Sequence, residues 1–217
     1  MRISALALAA TAAFLSLAPA ASAQQSCGAL GGTPDVTGIC RIHEVGAGYE
    51  RTAAFPVDYP DQQAVADFLA QDRDGFVSWV DKFGRGRVYE ETVTPTMYRS
   101  ARTQSLVLRI VDPTGLAHEG HPDIRYRTFT YGAGGPITID TLFGPGSDSA
   151  AILTPVVQHA LKARNAALIE PDRGSYRNFA IADEAVTFFF GESQLVGNGG
   201  PLTVAVPVGE LGGRLQG

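Results

Sequence analysis

A chain of 217 residues with 45% hydrophobic and 18% charged side chains can bury one sizeable core, and its composition is neither that of a disordered segment nor that of a bundle of membrane spans. Its formal charge of −5 argues against nucleic acid or anionic lipid as partners, because either needs a basic face that displaces counterions. Basic clusters such as RYR at Arg125 to Arg127 are local exceptions.

The chain begins with MRISALALAATAAFLSLAPAASA, one basic residue and then an apolar run ending in Ala21-Ser22-Ala23, the small-x-small pattern of a signal-peptidase site. Residues 1–23 are therefore read as a secretory leader. Its removal leaves 194 residues with a charge of −6, expected to form a single domain over 24–217. Gln24, Gln25 and Ser26 before Cys27 do not fit a lipoprotein attachment site. No other stretch is long and apolar enough to span a bilayer, so no membrane insertion is expected once the leader is gone.

The two cysteines, Cys27 and Cys40, enter an oxidising compartment together, which predicts a disulfide closing the Gly-rich loop CGALGGTPDVTGIC. A ring of that size contributes roughly 3 kcal/mol. A redox pair is the alternative, but the spacing is far from Cys-x-x-Cys. After it, RIHEVGAGYERTAAFPV reads as one or two strands broken at Gly46 and Gly48. From Asp61 to Phe83 the period becomes helical: Val65, Phe68, Leu69, Phe76, Val80 and Phe83 share a face that Trp79 joins, with Asp61 as N-cap and Gly84 as stop.

RVYEETVTPTMYRSA, TQSLVLRIVD and DIRYRTFTYGAG alternate at two-residue spacing and predict antiparallel strands, with DPTG at Asp112 to Gly115 as a turn. PITIDTLF predicts a further strand ending at GPGS. A second helix follows in SDSAAILTPVVQHALKARN, capped by Ser147 or Ser149, with a restart at Thr154 that places Pro155 in a first turn. The last third returns to strands in NFAIAD, AVTFFFGESQLV and LTVAVPV. Phe188, Phe189 and Phe190 are consecutive, so one of them points away from the others, and a helix is expected over one side. The fold class is α+β: a mostly antiparallel sheet packed by two main helices in one domain, without internal repeats.

FPVDYPDQQAVADFLAQDRDGFV, GLAH at Gly115 to His118, ITIDTLFGPGS and NFAIADEAVTFFFGESQLV followed by GPLTVAVPVGEL resemble the secreted mycobacterial immunogenic and cell-wall esterase family. The carboxy-terminal half is similar to the domain of RsiV-type anti-sigma factors that sense lysozyme. The resemblance covers nearly all of the chain after the leader, including Cys27 and Cys40. It implies an extracytoplasmic α+β domain, with carboxylic-ester hydrolysis in some members and protein recognition in others. It brings no catalytic motif position by position, and no role for His118.

HEGH at His118 to His121 invites a metal. The zinc-binding helical motif spaces its histidines four apart; here they are three apart between Gly115, Gly120 and Pro122, which makes a loop. No metal and no cofactor is expected. Ester hydrolysis needs a nucleophile, a base and an oxyanion site. No Gly-x-Ser-x-Gly elbow is present, since the GES at Gly191 and the GSY at Gly174 both lack the second glycine. Ser147, where a glycine turn enters the second helix, is the first candidate nucleophile, with His121 as base and Asp123 or Glu119 to orient it. Ser193 and His118 stand in reserve. The opposing reading of Ser147 is an ordinary cap, and His43 and His159 read as structural.

Gly132, Gly134 and Gly135 lack the spacing of a phosphate cradle, Asp72, Asp74 and Gly75 sit inside the helical pattern instead of a calcium loop, and Glu90 and Glu91 are adjacent on a strand and face opposite ways. Two functions stay open: an exported, cell-wall-associated hydrolase taking a small ester, and a non-catalytic domain that binds a protein or cell-wall ligand. The sequence leaves the oligomeric state open.

Overall fold

The computed structural model describes residues 26–113, 123–144, 146–168, 170–192, 194–196, 200–211 and 215. The expected leader lies outside them. After a helical turn at 26–29, β1 (Thr33–Pro34), β2 (Ile39–Gly46) and β3 (Tyr49–Pro56) lead into helix α1 (Gln62–Phe83). Then come β4 (Tyr89–Arg99), β5 (Thr103–Asp112), β6 (Asp123–Gly132) and β7 (Gly135–Ile137). These strands form a seven-stranded sheet in chain order. Every neighbouring pair is antiparallel except β3 and β4. That pair is parallel because α1 lies between them in the chain and carries it back across the sheet.

The disulfide forms as expected, with Cys27 and Cys40 both fully buried and their Cα atoms 5.7 Å apart. Gly32 folds against it so closely that a Cβ there would lie 2.5 Å from the Cys40 sulfur. α1 begins where the sequence predicts, the Asp61 side chain accepting from the Ala64 N–H, and presents Val65, Leu69, Phe76 and Val80 to the sheet. Phe83 departs from the expectation and is 49% exposed. It stacks on Trp79 one turn beyond the point where that ring meets Tyr89, the first residue of β4.

β7 is only three residues long, so the strand expected over PITIDTLF is corrected to a strand end followed by a tight turn. Two hydroxyls close that turn: that of Thr141 accepts from the Thr138 N–H and donates to the Thr138 carbonyl, and that of Thr138 accepts from the Asp140 N–H. This local competition with the ladder delivers Ile139, Leu142 and Phe143 together into a core instead of to alternate faces.

Helix α2 (Ser149–Lys162) is capped by Asp148, whose carboxylate accepts from the Ala151 N–H, so neither Ser147 nor Ser149 is the cap. The helix does not restart at Thr154: Pro155 lies inside it. Beyond it, β9 (Phe179–Ile181), β10 (Ala185–Phe190) and β12 (Leu202–Pro207) make a three-stranded sheet in the order β12-β10-β9, while the short β8 (Ala167–Leu168) and β11 (Leu195–Val196) pair with each other. Phe188 and Phe190 pack with Leu153, Val157 and Leu161 of α2. Phe189 points the other way, to Val107, Tyr98 and Tyr126 of the large sheet. The layers are therefore α1, seven-stranded sheet, three-stranded sheet, α2, which is the expected α+β class.

The two sheets are also joined by hydroxyls. The outer edge of β9 gives its Phe179 N–H to Thr128 Oγ1 at 3.1 Å and its Ile181 N–H to Ser105 Oγ at 3.0 Å, while Thr130 Oγ1 donates to the Phe179 carbonyl. Backbone groups at an open sheet edge are thus satisfied by side chains of the neighbouring sheet.

Candidate functional site

The residues singled out for ester chemistry fall in different parts of this layering. Ser147 precedes α2 beside the second core, and its hydroxyl donates to the Phe143 carbonyl at 2.8 Å. Ser149 is buried and donates to the Ile139 carbonyl at 2.6 Å. Among the described residues neither hydroxyl is bonded to an imidazole. Asp123 opens β6 opposite Asp112, buried on the α1 face, and its Oδ1 has no hydrogen-bond partner. His118, Glu119, His121 and Ser193 lie outside the described residues. His43 and His159 are exposed; His43 pairs with Glu50 at 3.0 Å and has no contact with a serine.

The described neighbours of Ser193 come close to the strand into which the histidine hairpin runs. Glu192 N–H donates to the Ile124 carbonyl at 3.0 Å, and Gly191 N–H donates to the Gln194 side chain at 2.6 Å. Glycine is required here by close approach, since a Cβ at 191 would sit 2.8 Å from the Ile124 carbonyl oxygen. Gly191 and Glu192 are thus docked on Ile124, the second residue of β6.

Between α1 and the large sheet lies a charged group that sequence reasoning missed. Arg51 of β3 is bonded to Glu91 of β4 through its Nε, reaches Asp72 of α1 at 3.6 Å, and donates to the Leu69 carbonyl at 3.4 Å. Arg125 of β6 is bonded to Asp112 of β5 and pairs with Asp72 at 3.2 Å and Glu91 at 4.0 Å. The side chains of Glu91 and Asp112 are fully buried, whereas that of Arg125 is 39% exposed. Burial above all, and then the Asp72 charge, push the Glu91 carboxyl up to about 7, against the opposing pull of Arg51. The available signal was alternation: Tyr49, Ala53 and Phe55, like Tyr89 and Val93, mark inward positions, and Arg51 and Glu91 fall on the same phase. Glu90 is exposed on the other face, so the adjacent glutamates do point apart as expected.

Among the described residues no helix is long and apolar enough to cross a membrane, and no group of three or more histidine, cysteine or acidic side chains could hold a metal ion. The class defined is a disulfide-closed, layered α+β domain with a buried charge network under its long helix. No family model matches the chain. It is 38% identical over 191 residues to "Esterase Rv3036c" of Mycobacterium tuberculosis, covering 82% of this chain and 83% of the relative. It is 32% identical over 195 residues to "Immunogenic protein MPB64" of Mycobacterium bovis and to "Immunogenic protein MPT64" of Mycobacterium tuberculosis, covering 83% of this chain and 84% of each relative. The chain belongs to the family that contains these mycobacterial proteins.

Proposed function

We propose that this protein is an exported carboxylic-ester hydrolase that acts in or near the cell envelope on short-chain esters. The observation that carries the reading is the 38% identity, along most of both chains, to a relative named an esterase. A disulfide formed by the only two cysteines supports export, because such bonds persist in oxidising compartments.

A serine mechanism requires a hydroxyl that hands its proton to a base as it attacks the ester carbonyl. The base then returns that proton to the departing alcohol, and water repeats the sequence to free the acid. Ser147 was the first candidate, but its hydroxyl proton is committed to a backbone carbonyl. Ser193 becomes the preferred nucleophile, with His121 as base, His118 as the alternative base and Asp123 to orient the imidazole. What supports this choice is the docking of Gly191 and Glu192, the residues before Ser193, against Ile124, three residues past His121.

The test is hydrolysis of a chromogenic short-chain ester by the purified mature protein and by Ser193→Ala, His121→Ala and Ser147→Ala variants. The reading expects the first two to lose about a hundredfold or more in kcat/KM and Ser147→Ala to keep it. Loss in Ser147→Ala alone would return the nucleophile to the start of α2. A wild-type protein that neither turns over nor reacts with a covalent serine probe would favour a recognition domain, the reading to which the relatives named only as immunogenic proteins lend weight.

A further inference from the structure

The charge network under α1 has no part in the ester chemistry proposed above. Among the described residues, the charged groups that face Glu91 are Arg51 from β3, Asp72 from α1, Asp112 from β5 and Arg125 from β6. Asp123 stands opposite Asp112 on the next strand. Glu91 and Asp72 thus face each other across the joint between β4 and α1, and the charge of Asp72 opposes the ionisation of Glu91. The hydrogen bonding is incomplete at the same place. Asp72 Oδ2 and Glu91 Oε2 are both buried and accept no hydrogen bond. A proton at this place relieves the repulsion between Glu91 and Asp72 and turns one orphaned acceptor into a donor.

We propose that Glu91, facing Asp72 of α1, holds a proton that clamps α1 to the seven-stranded sheet in acidic and neutral medium, and that its loss in alkaline medium loosens α1. The burial of Glu91 supplies the direction. Its carboxyl is raised from the ordinary value of 4.5 to about 7 in the folded protein. The folded state therefore binds more protons than the unfolded chain between those values, so the stabilisation is complete below the ordinary carboxylate value and is lost as pH rises through about 7. The effect should be local to α1, because Asp72 is the helix's side of the network, while α2 and the three-stranded sheet are packed by a separate apolar core.

Amide hydrogen exchange, corrected for the intrinsic pH dependence of exchange, reads this out residue by residue. Between about pH 6 and pH 8.5, protection of the central α1 amides should fall by up to about tenfold, with β10 amides changing much less. Glu91→Gln, which fixes the neutral form, should abolish that pH dependence. Unchanged α1 protection across the range, or an equal fall in Glu91→Gln, would overturn the proposal. Should the variant not fold, infrared spectra of the wild-type protein decide: a protonated-carboxyl carbonyl band must be present near pH 6 and gone by about pH 8.5, and its absence at the lower pH refutes the stored proton.

Discussion

Ser105→Ala removes a single oxygen from a fully buried site, and the structure fixes what that oxygen was doing. It accepts the Ile181 N–H at 3.0 Å and the Thr130 hydroxyl at 3.1 Å. The threonine can turn fully to the Phe179 carbonyl, already 3.3 Å away, and loses little. The Ile181 N–H has no such recourse, being buried on the outer edge of β9 between the sheets. Leaving one buried donor unpaired costs about 1–3 kcal/mol, whereas the lost volume is one atom, so the orphaned donor should dominate. Urea denaturation should show a lower midpoint with an unchanged slope, and thermal unfolding a drop of roughly 4–8 °C for a loss of about 2 kcal/mol in a chain of this length. Thr92→Ala is the matched control, an exposed strand threonine expected to stay within about 0.5 kcal/mol. A Ser105→Ala protein as stable as this control would refute the claim that hydroxyls seal the joint between the sheets.

Replacing Cys27 and Cys40 together by alanine should cost roughly 2–4 kcal/mol in chemical denaturation, the loop-closure contribution of a ring this size. Asp148→Ala should cost about 1 kcal/mol, measured the same way, since this carboxylate caps α2. Gly191→Ala should displace Gly191 and Glu192 from the Ile124 carbonyl; on the proposed reading, the esterase rate falls well beyond the loss in stability, and a variant that keeps full activity would argue against a site there.

The periodic parts of this fold could be read from residues alone. The helical spacing of Val65, Leu69, Phe76 and Val80, bracketed by Asp61 and Gly84, defined α1, and two-residue alternation located β4, β5 and β6. Failures arose where a local hydrogen bond outweighed the pattern. Thr138 and Thr141 bend an apparent strand into a turn, and Asp148 takes the cap from the serines on either side of it. The charge network was hidden for a different reason: Arg51, Asp72, Glu91, Asp112 and Arg125 belong to five separate elements, and only the assembled sheet brings them together. The site candidates are the least legible: the glycine turn before α2 marks Ser147 as a possible oxyanion-side serine, but only the folded turn shows its hydroxyl bonded to the Phe143 carbonyl, and the surroundings of Asp123 are set by the packing of distant segments.

The central strand of the small sheet is covered on both faces. One side of β10 carries Phe188 and Phe190 against α2, and the other lays Phe189 on Tyr98 and Tyr126. It works as a party wall shared by two rooms. A fragment ending before residue 179 would strip the cover from Val107 and both tyrosines, and the remaining piece would keep a hydrophobic back with nothing to lean on. The carboxy-terminal third is accordingly not a module that can be exchanged or expressed alone, and any natural length variation in this part of the chain should fall in the connections that flank the wall.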